Sequence, residues 1–197
     1  MSVTAAPEPM ILSMSATAPA AVADPAPLGL AAFALTTFVL SAANAGLIPR
    51  GGDAVVLGLA AAYGGLAQFG AGMWEFKRNN TFGATAFTSY GAFWIAFTLL
   101  VTFYVAKIPV AAAPAAVGTF LLSWGIFTAY MTVAAATLSR PVFIVFLLLT
   151  PTFFFLAAGA FLSQPILSQI GGYLGLLTAL AAWFASAKGV IASTGRS

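Results

Sequence analysis

Six apolar stretches, at 28–48, 54–74, 84–105, 113–137, 141–162 and 170–188, dominate this chain and limit what it can become. Each is long enough to cross a hydrocarbon core of about 30 Å at about 1.5 Å per helical residue. Seven basic and four acidic side chains are spread over 197 residues, 6% of the chain. Soluble domains carry about 25%. Eleven charges cannot cover a water-facing surface, so the bilayer is the solvent for most of this chain. In hydrocarbon every backbone N–H and C=O needs an internal partner, and segments of this length supply one by coiling into helices. The sequence therefore predicts an all-α integral membrane protein with six transmembrane helices.

The separators are helix punctuation. Pro49-Arg50-Gly51-Gly52-Asp53, the stretch 76–83, Lys107-Ile108-Pro109, Ser139-Arg140-Pro141 and Ser163-Gln164-Pro165 divide the spans. Residues 1–27 hold five of the eleven prolines and no Lys or Arg, the pattern of a flexible tail. A six-helix transmembrane domain is expected over 28–189, with a short tail over 190–197. Ala21-Val22-Ala23 imitates a signal-peptidase site. The imitation fails upstream, where Glu8 replaces a basic region and the apolar run Met10–Met14 is short.

Orientation follows from Lys and Arg. With the N-terminus inside, Lys77, Arg78, Arg140, Lys188 and Arg196 face the cytoplasm, and Arg50 and Lys107 face out. Five against two places both termini in the cytoplasm, and an even number of spans puts them on one side. Cysteine and histidine are absent. No thiolate, metal cluster or phosphate loop is in view, so neither an enzyme nor a cofactor is expected. A retinal protein is disfavoured by six spans and by Lys188 at a helix end. A net charge of +3 is too small and dispersed for nucleic acid.

Several segments carry two readings. Asp24 and Pro25 are a good cap and first turn for the first helix, and a helix start also attracts small anions. Phe33, Thr37, Ser41 and Asn44 share one face of that helix, with Thr36 beside them. A polar stripe faces either a neighbouring helix or a water-filled path. Glu75 at the end of the second helix is one turn from Arg78, which predicts a surface ion pair or a titrating carboxyl at a pore mouth. Thr81 to Tyr90 is rich in hydroxyls. Asn79, Asn80 or Thr81 is expected to cap the third helix, Thr85, Thr88 and Ser89 to share a side, and Tyr90 to stack on Trp94. Gly171, Gly175 and Ala179, and Gly58 with Ala62 and Ala61 with Gly65, make grooves for close helix packing within or between protomers. Pro151 is expected to kink the fifth helix.

Asp24-Pro25-Ala26-Pro27-Leu28-Gly29-Leu30, Gly64-Gly65-Leu66-Ala67-Gln68 and the stretch up to Tyr90-Gly91-Ala92-Phe93-Trp94 resemble the signatures of the acetate uptake transporter family. The resemblance runs from about Asp24 to the sixth helix. It departs at Asp24, where the family usually has Asn, which adds negative charge at an expected acetate mouth. The resemblance implies a six-helix protomer with one pathway each, in a ring that is usually a hexamer. It implies uptake of acetate, and often succinate or other short carboxylates, with protons, across the inner membrane. By motif position, Phe33, Tyr90 and Leu149 would form an apolar constriction. Asp24, Pro25, Ala26, Pro27, Leu28, Gly29, Thr36, Thr37, Glu75, Asn80, Thr81 and Ser89 would lie near the path or its mouths, and Ser41, Asn44 and Thr85 join them from the hydroxyl stripes.

The chemistry fits such a cargo. A simple carboxylic acid has a pKa near 4.3, so about one molecule in 500 is neutral at pH 7 and about one in six at pH 5. Passing the acid, or the anion with a proton, avoids most of the cost of burying charge. Two alternatives stand beside proton-coupled uptake: a passive anion channel of the same fold, and a membrane scaffold that moves nothing.

Overall fold

The computed structural model describes residues 22–49 and 51–195. Six helices in it are long and apolar enough to cross a membrane: α1 Ala26–Asn44, α2 Gly52–Lys77, α3 Thr81–Lys107, α4 Ala113–Ala135, α5 Arg140–Phe161 and α6 Pro165–Ser193. The described residues contain no strand. The six expected spans are all present. The largest boundary difference is α6, which starts at Pro165 rather than 170 and runs on to Ser193. Proline is tolerated in a first turn, where its missing N–H has no helical partner anyway, so Pro165 opens α6 rather than separating it from α5. The tail before residue 22, the cleavage-site reading at Ala21, and Arg50 and Arg196 of the charge count lie outside the described residues.

Left-handed residues set several of the stops. Gly46 (φ 79°) ends α1, with the Leu47 N–H bonding the Ala42 carbonyl at 2.9 Å. Asn79 (φ 56°) ends α2: its N–H bonds the Phe76 carbonyl, and the Asn80 N–H bonds that of Glu75 at 3.1 Å. Ser163 (φ 50°) closes α5 in the same way, through the Gln164 N–H and the Gly159 carbonyl. This pairing satisfies carbonyls that the last helical turn leaves open. α5 continues through Pro151. Two helices are irregular. α2 widens into a π turn over Ala62–Ala67, and α3 does so over Leu100–Tyr104 before a tight turn to Lys107.

α1 lies between α6 and the α2–α3 hairpin, while α4 packs on α5 and α5 on α6. The α1–α6 contact is backbone-close. A Cβ on Gly172 would run into the Ala45 nitrogen, so α6 reaches α1 where only a hydrogen fits. Gly171 abuts Leu156 of α5, and Gly175 abuts Ser41, which places this groove inside the protomer. Gly58 and Ala62 are exposed, so that pair faces outward, whereas Gly65 packs on Ile95. α3 and α4, although consecutive, do not pack backbone to backbone along their length. Aromatic rings bridge them: Phe93 lies 5.8 Å from Phe120 and 5.1 Å from Trp124, and Tyr90 lies 5.4 Å from Phe127. Lys77 sits over Trp74 near one end of the bundle and Lys107 over Tyr104 near the other, a pairing suited to the two membrane interfaces.

Candidate functional site

Three cavities follow one another along α1. The largest, a vestibule of about 330 Å³, is walled by α1, α3, α4 and α5 with a contribution from Ser168 of α6, and Phe33, Thr37, Ser41 and Asn44 all line it. Its outer rim includes Leu100, Val101 and Val105, the irregular end of α3. The second, about 20 Å³, is bounded by Leu30, Phe33, Gln68, Tyr90, Phe146 and Leu149 among others. That space admits about one water and no carboxylic acid, so the interior space narrows to a pinch there. The third, about 280 Å³, opens at the other end beside Asp24, Ala26, Pro27, Leu30, Ser139 and Lys188. Phe33 is shared by the first two cavities and Leu30 by the last two. The stripe on α1 thus faces the vestibule, while its neighbour Thr36 packs against α2.

At the pinch, Phe33, Tyr90 and Leu149 are each at most 5% exposed. The Phe33 and Tyr90 rings lie 5.6 Å apart, centre to centre. The Tyr90 hydroxyl shares a hydrogen bond of 2.9 Å with Thr128, which fixes the ring from α4. Tyr90 does not stack on Trp94 as expected. It turns toward α1 and α4, and Trp94 pairs edge-on with Phe93 and Phe97. Neither the vestibule nor the pinch is lined by a charged side chain among the described residues.

Glu75 departs from its expected surface pairing with Arg78. It is fully buried, and its Oε2 accepts from Asn80 Nδ2 at 2.9 Å. Asn80 ties this corner together, because its Oδ1 also accepts from the Gly83 N–H at 3.1 Å and so caps α3. Gly83 has no side chain for a reason: a Cβ there would lie 2.8 Å from the Glu75 carboxyl carbon. Arg78 pairs instead with Asp24, whose Oδ1 also accepts from the Ala26 N–H at 3.1 Å. Asp24, just ahead of the N-cap Pro25, is therefore both hydrogen-bonded to the first turn of α1 and ion-paired. Glu75 and Asn80 line none of the three cavities.

Other expected residues scatter. Leu28 is exposed, and Gly29 packs against the Phe87 ring. Pro25 is buried and Thr81 exposed. Thr36 lies under Gly64 of α2 and donates to the Ala32 carbonyl at 2.9 Å. Thr85, Thr88 and Ser89 do not act together. Thr85 is half-buried, Thr88 abuts Gly72, and Ser89 borders a shallow crevice with Ser123, Trp124 and Phe127. Gln68 and Trp94, quoted above in the resembling motifs but not expected along the path, also line these cavities. Gln68 is 1% exposed at the pinch with its Oε1 unpartnered. A lone amide within an apolar span was the signal for it. Trp94 offered no signal beyond its place beside Tyr90.

A six-helix membrane protein with cavities strung through its interior and a pinch between them has the build of a small-solute transporter or channel. Comparison with known proteins gives the relationship. The model of the GPR1/FUN34/yaaH family matches residues 7–196, so the similarity begins well before Asp24. The chain belongs to this family. It is 42% identical over 187 residues to acetate permease A of Emericella nidulans, covering 87% of this chain and 63% of the permease. It is 40% identical over 157 residues to the succinate-acetate/proton symporter SatP of Escherichia coli K12, covering 79% of this chain and 81% of that protein. A solved structure of the bacterial acetate channel SatP superposes with a TM-score of 0.82 at 34% identity, covering 89% of this chain and 97% of that one.

Proposed function

We propose that this chain carries acetate and related short carboxylates, succinate among them, across the cytoplasmic membrane. The cargo passes through each protomer from the vestibule, between Phe33, Tyr90 and Leu149, to the mouth beside Asp24 and Lys188. The observation that carries this reading is the succession of three cavities sharing Phe33 and Leu30. Relatives named for acetate and succinate transport supply the cargo. The protomers form a ring, a hexamer, with both termini in the cytoplasm, as the Lys and Arg distribution favours.

Proton coupling is the first reading, since the cargo is neutral when protonated and the pinch is apolar. A passive channel is the second. It is favoured by the cavity walls, in which no carboxyl side chain stands along the vestibule or the pinch among the described residues, and by the name of the structural relative. Uptake of labelled acetate into liposomes holding the full chain separates them. Accumulation above equilibrium under an inward proton gradient, lost when the gradient is collapsed, establishes coupling. Rapid equilibration that ignores the gradient establishes a channel. Uptake no faster than in empty liposomes contradicts both.

A further inference from the structure

We infer that Lys188 selects for anions at the mouth beside Asp24, and that it favours a dicarboxylate over a monocarboxylate there. This rests on the transport reading and adds a specificity-determining residue to it. The mouth holds about 280 Å³, and among the described residues Asp24 and Lys188 are the charged side chains on its wall. The vestibule and the pinch have none.

The two charges on this wall are not alike. Asp24 is spent: Arg78 pairs with it, and its Oδ1 also accepts from the Ala26 N–H at 3.1 Å. Lys188 pairs with no acid among the described residues. The nearby ions do not change this balance. Glu75 is enclosed with Asn80 and lines no cavity, and Lys77 lies over the Trp74 ring at 4.7 Å. Arg140 stands between Ser139 and Pro141, which line the mouth, but does not line it itself. The fold fixes Lys188 in place. The Ser186 hydroxyl donates to the Pro27 carbonyl at 2.7 Å, and a Cβ on Gly189 would lie 2.8 Å from Pro27 Cγ, so the end of α6 is pressed onto the head of α1 just before and just after Lys188. Ala185, Lys188, Gly189 and Ala192 fall on one helical face, the face that walls the cavity. A cation in a concave mouth with low-dielectric walls focuses its field and raises the local concentration of anions. A neutral acid does not feel that field, and a dianion feels it twice. Lys188 is exposed, so water competes with the anion and the mouth can release what it collects.

The test reads the field directly, because the chain has no cysteine of its own. Ser139→Cys puts a thiol on the mouth wall, at a position whose side chain makes no capping bond. The full chain in detergent is alkylated with iodoacetate, a carboxylate, and separately with iodoacetamide, its neutral counterpart. The ratio of the two rates cancels any change in the thiolate fraction. At low salt, Lys188→Gln should lower this ratio about threefold and Lys188→Glu about tenfold, while Lys188→Arg preserves it. At about 1 M salt, where the Debye length is about 3 Å, the differences should close. At Ser41→Cys in the vestibule the ratio should not depend on Lys188. Succinate carries two charges at pH 7 and acetate one. In liposomes at low salt, Lys188→Gln should therefore lower the initial uptake of succinate relative to acetate about threefold. An alkylation ratio indifferent to the Lys188 substitutions, a difference that persists at high salt, or succinate and acetate slowed alike overturns the proposal and leaves the transport reading standing. Uptake by the unsubstituted chain no faster than in empty liposomes, with the alkylation ratios as expected, overturns the transport reading and leaves the anion-selecting charge at the mouth standing.

Discussion

α6 meets α1 differently from the way α4 meets α3, and the difference divides the protein into a frame and a wall. On the first seam, Gly172 and Gly175 bring backbone against Ala45 and side chain against Ser41, and the Ser186 hydroxyl donates to the Pro27 carbonyl at 2.7 Å. On the second, rings stand between two helices held apart, with the Tyr90–Thr128 hydrogen bond between them. A glycine contact has no slack, whereas aromatic side chains adjust by rotation about their own bonds. The vestibule and the pinch both border the second seam. On the transport reading, cargo passes between α1, which the glycine contacts hold in register, and the rings of the α3–α4 seam, which can turn.

Substitutions can break this contrast in graded steps. Gly172→Val on the frame puts a side chain into backbone and is expected to cost about 3 kcal/mol or more, seen as a collapse of thermal unfolding temperature and folded yield. Leu149→Ala at the pinch should cost about 2 kcal/mol and act chiefly on selectivity, raising flux of succinate and lactate relative to acetate in liposome uptake. Asn80→Ala removes the α3 cap and strands the buried Glu75 carboxyl. A loss of about 1.5 kcal/mol is expected in the same unfolding assay. Tyr90→Phe removes the bond to Thr128 while keeping the ring, for about 1 kcal/mol with the pinch still shut to larger acids. Arg78→Ala should be the mildest, below about 1 kcal/mol and smaller still in high salt, because both partners of its ion pair are partly exposed.

The frame was more legible in the sequence than the wall. Six spans follow from apolar run length, and the Gly171–Gly175 groove from spacing alone, because both depend on composition within one segment. Helix ends were less clear where a left-handed residue acts: Gly46 stops α1 before Pro49, and Pro165 begins a helix rather than interrupting one. The stripe Phe33, Thr37, Ser41 and Asn44 was visible, since one helical face carries it. Which partner each polar group chooses was not. Arg78 is one turn from Glu75 yet pairs with Asp24, brought close by the docking of α1 on the α2–α3 turn. Glu75 is instead enclosed by Asn80 and Gly83. Gln68 and Trp94 became notable only when the fold buried their polar atoms without partners. Such long-range choices lie beyond periodicity.

The absence of cysteine gives the most direct test of the central claim, that cargo passes inside the protomer along α1. A single cysteine at Ser41, in the vestibule, is compared with one at Val133, which is 75% exposed on the outer surface of α4. Both are treated with a small thiol reagent, labelling is verified by mass, and acetate uptake is measured. Labelling at Ser41→Cys should block uptake, with excess acetate slowing the labelling, while labelling at Val133→Cys leaves uptake unchanged. Full uptake through protein labelled at Ser41→Cys would contradict the account.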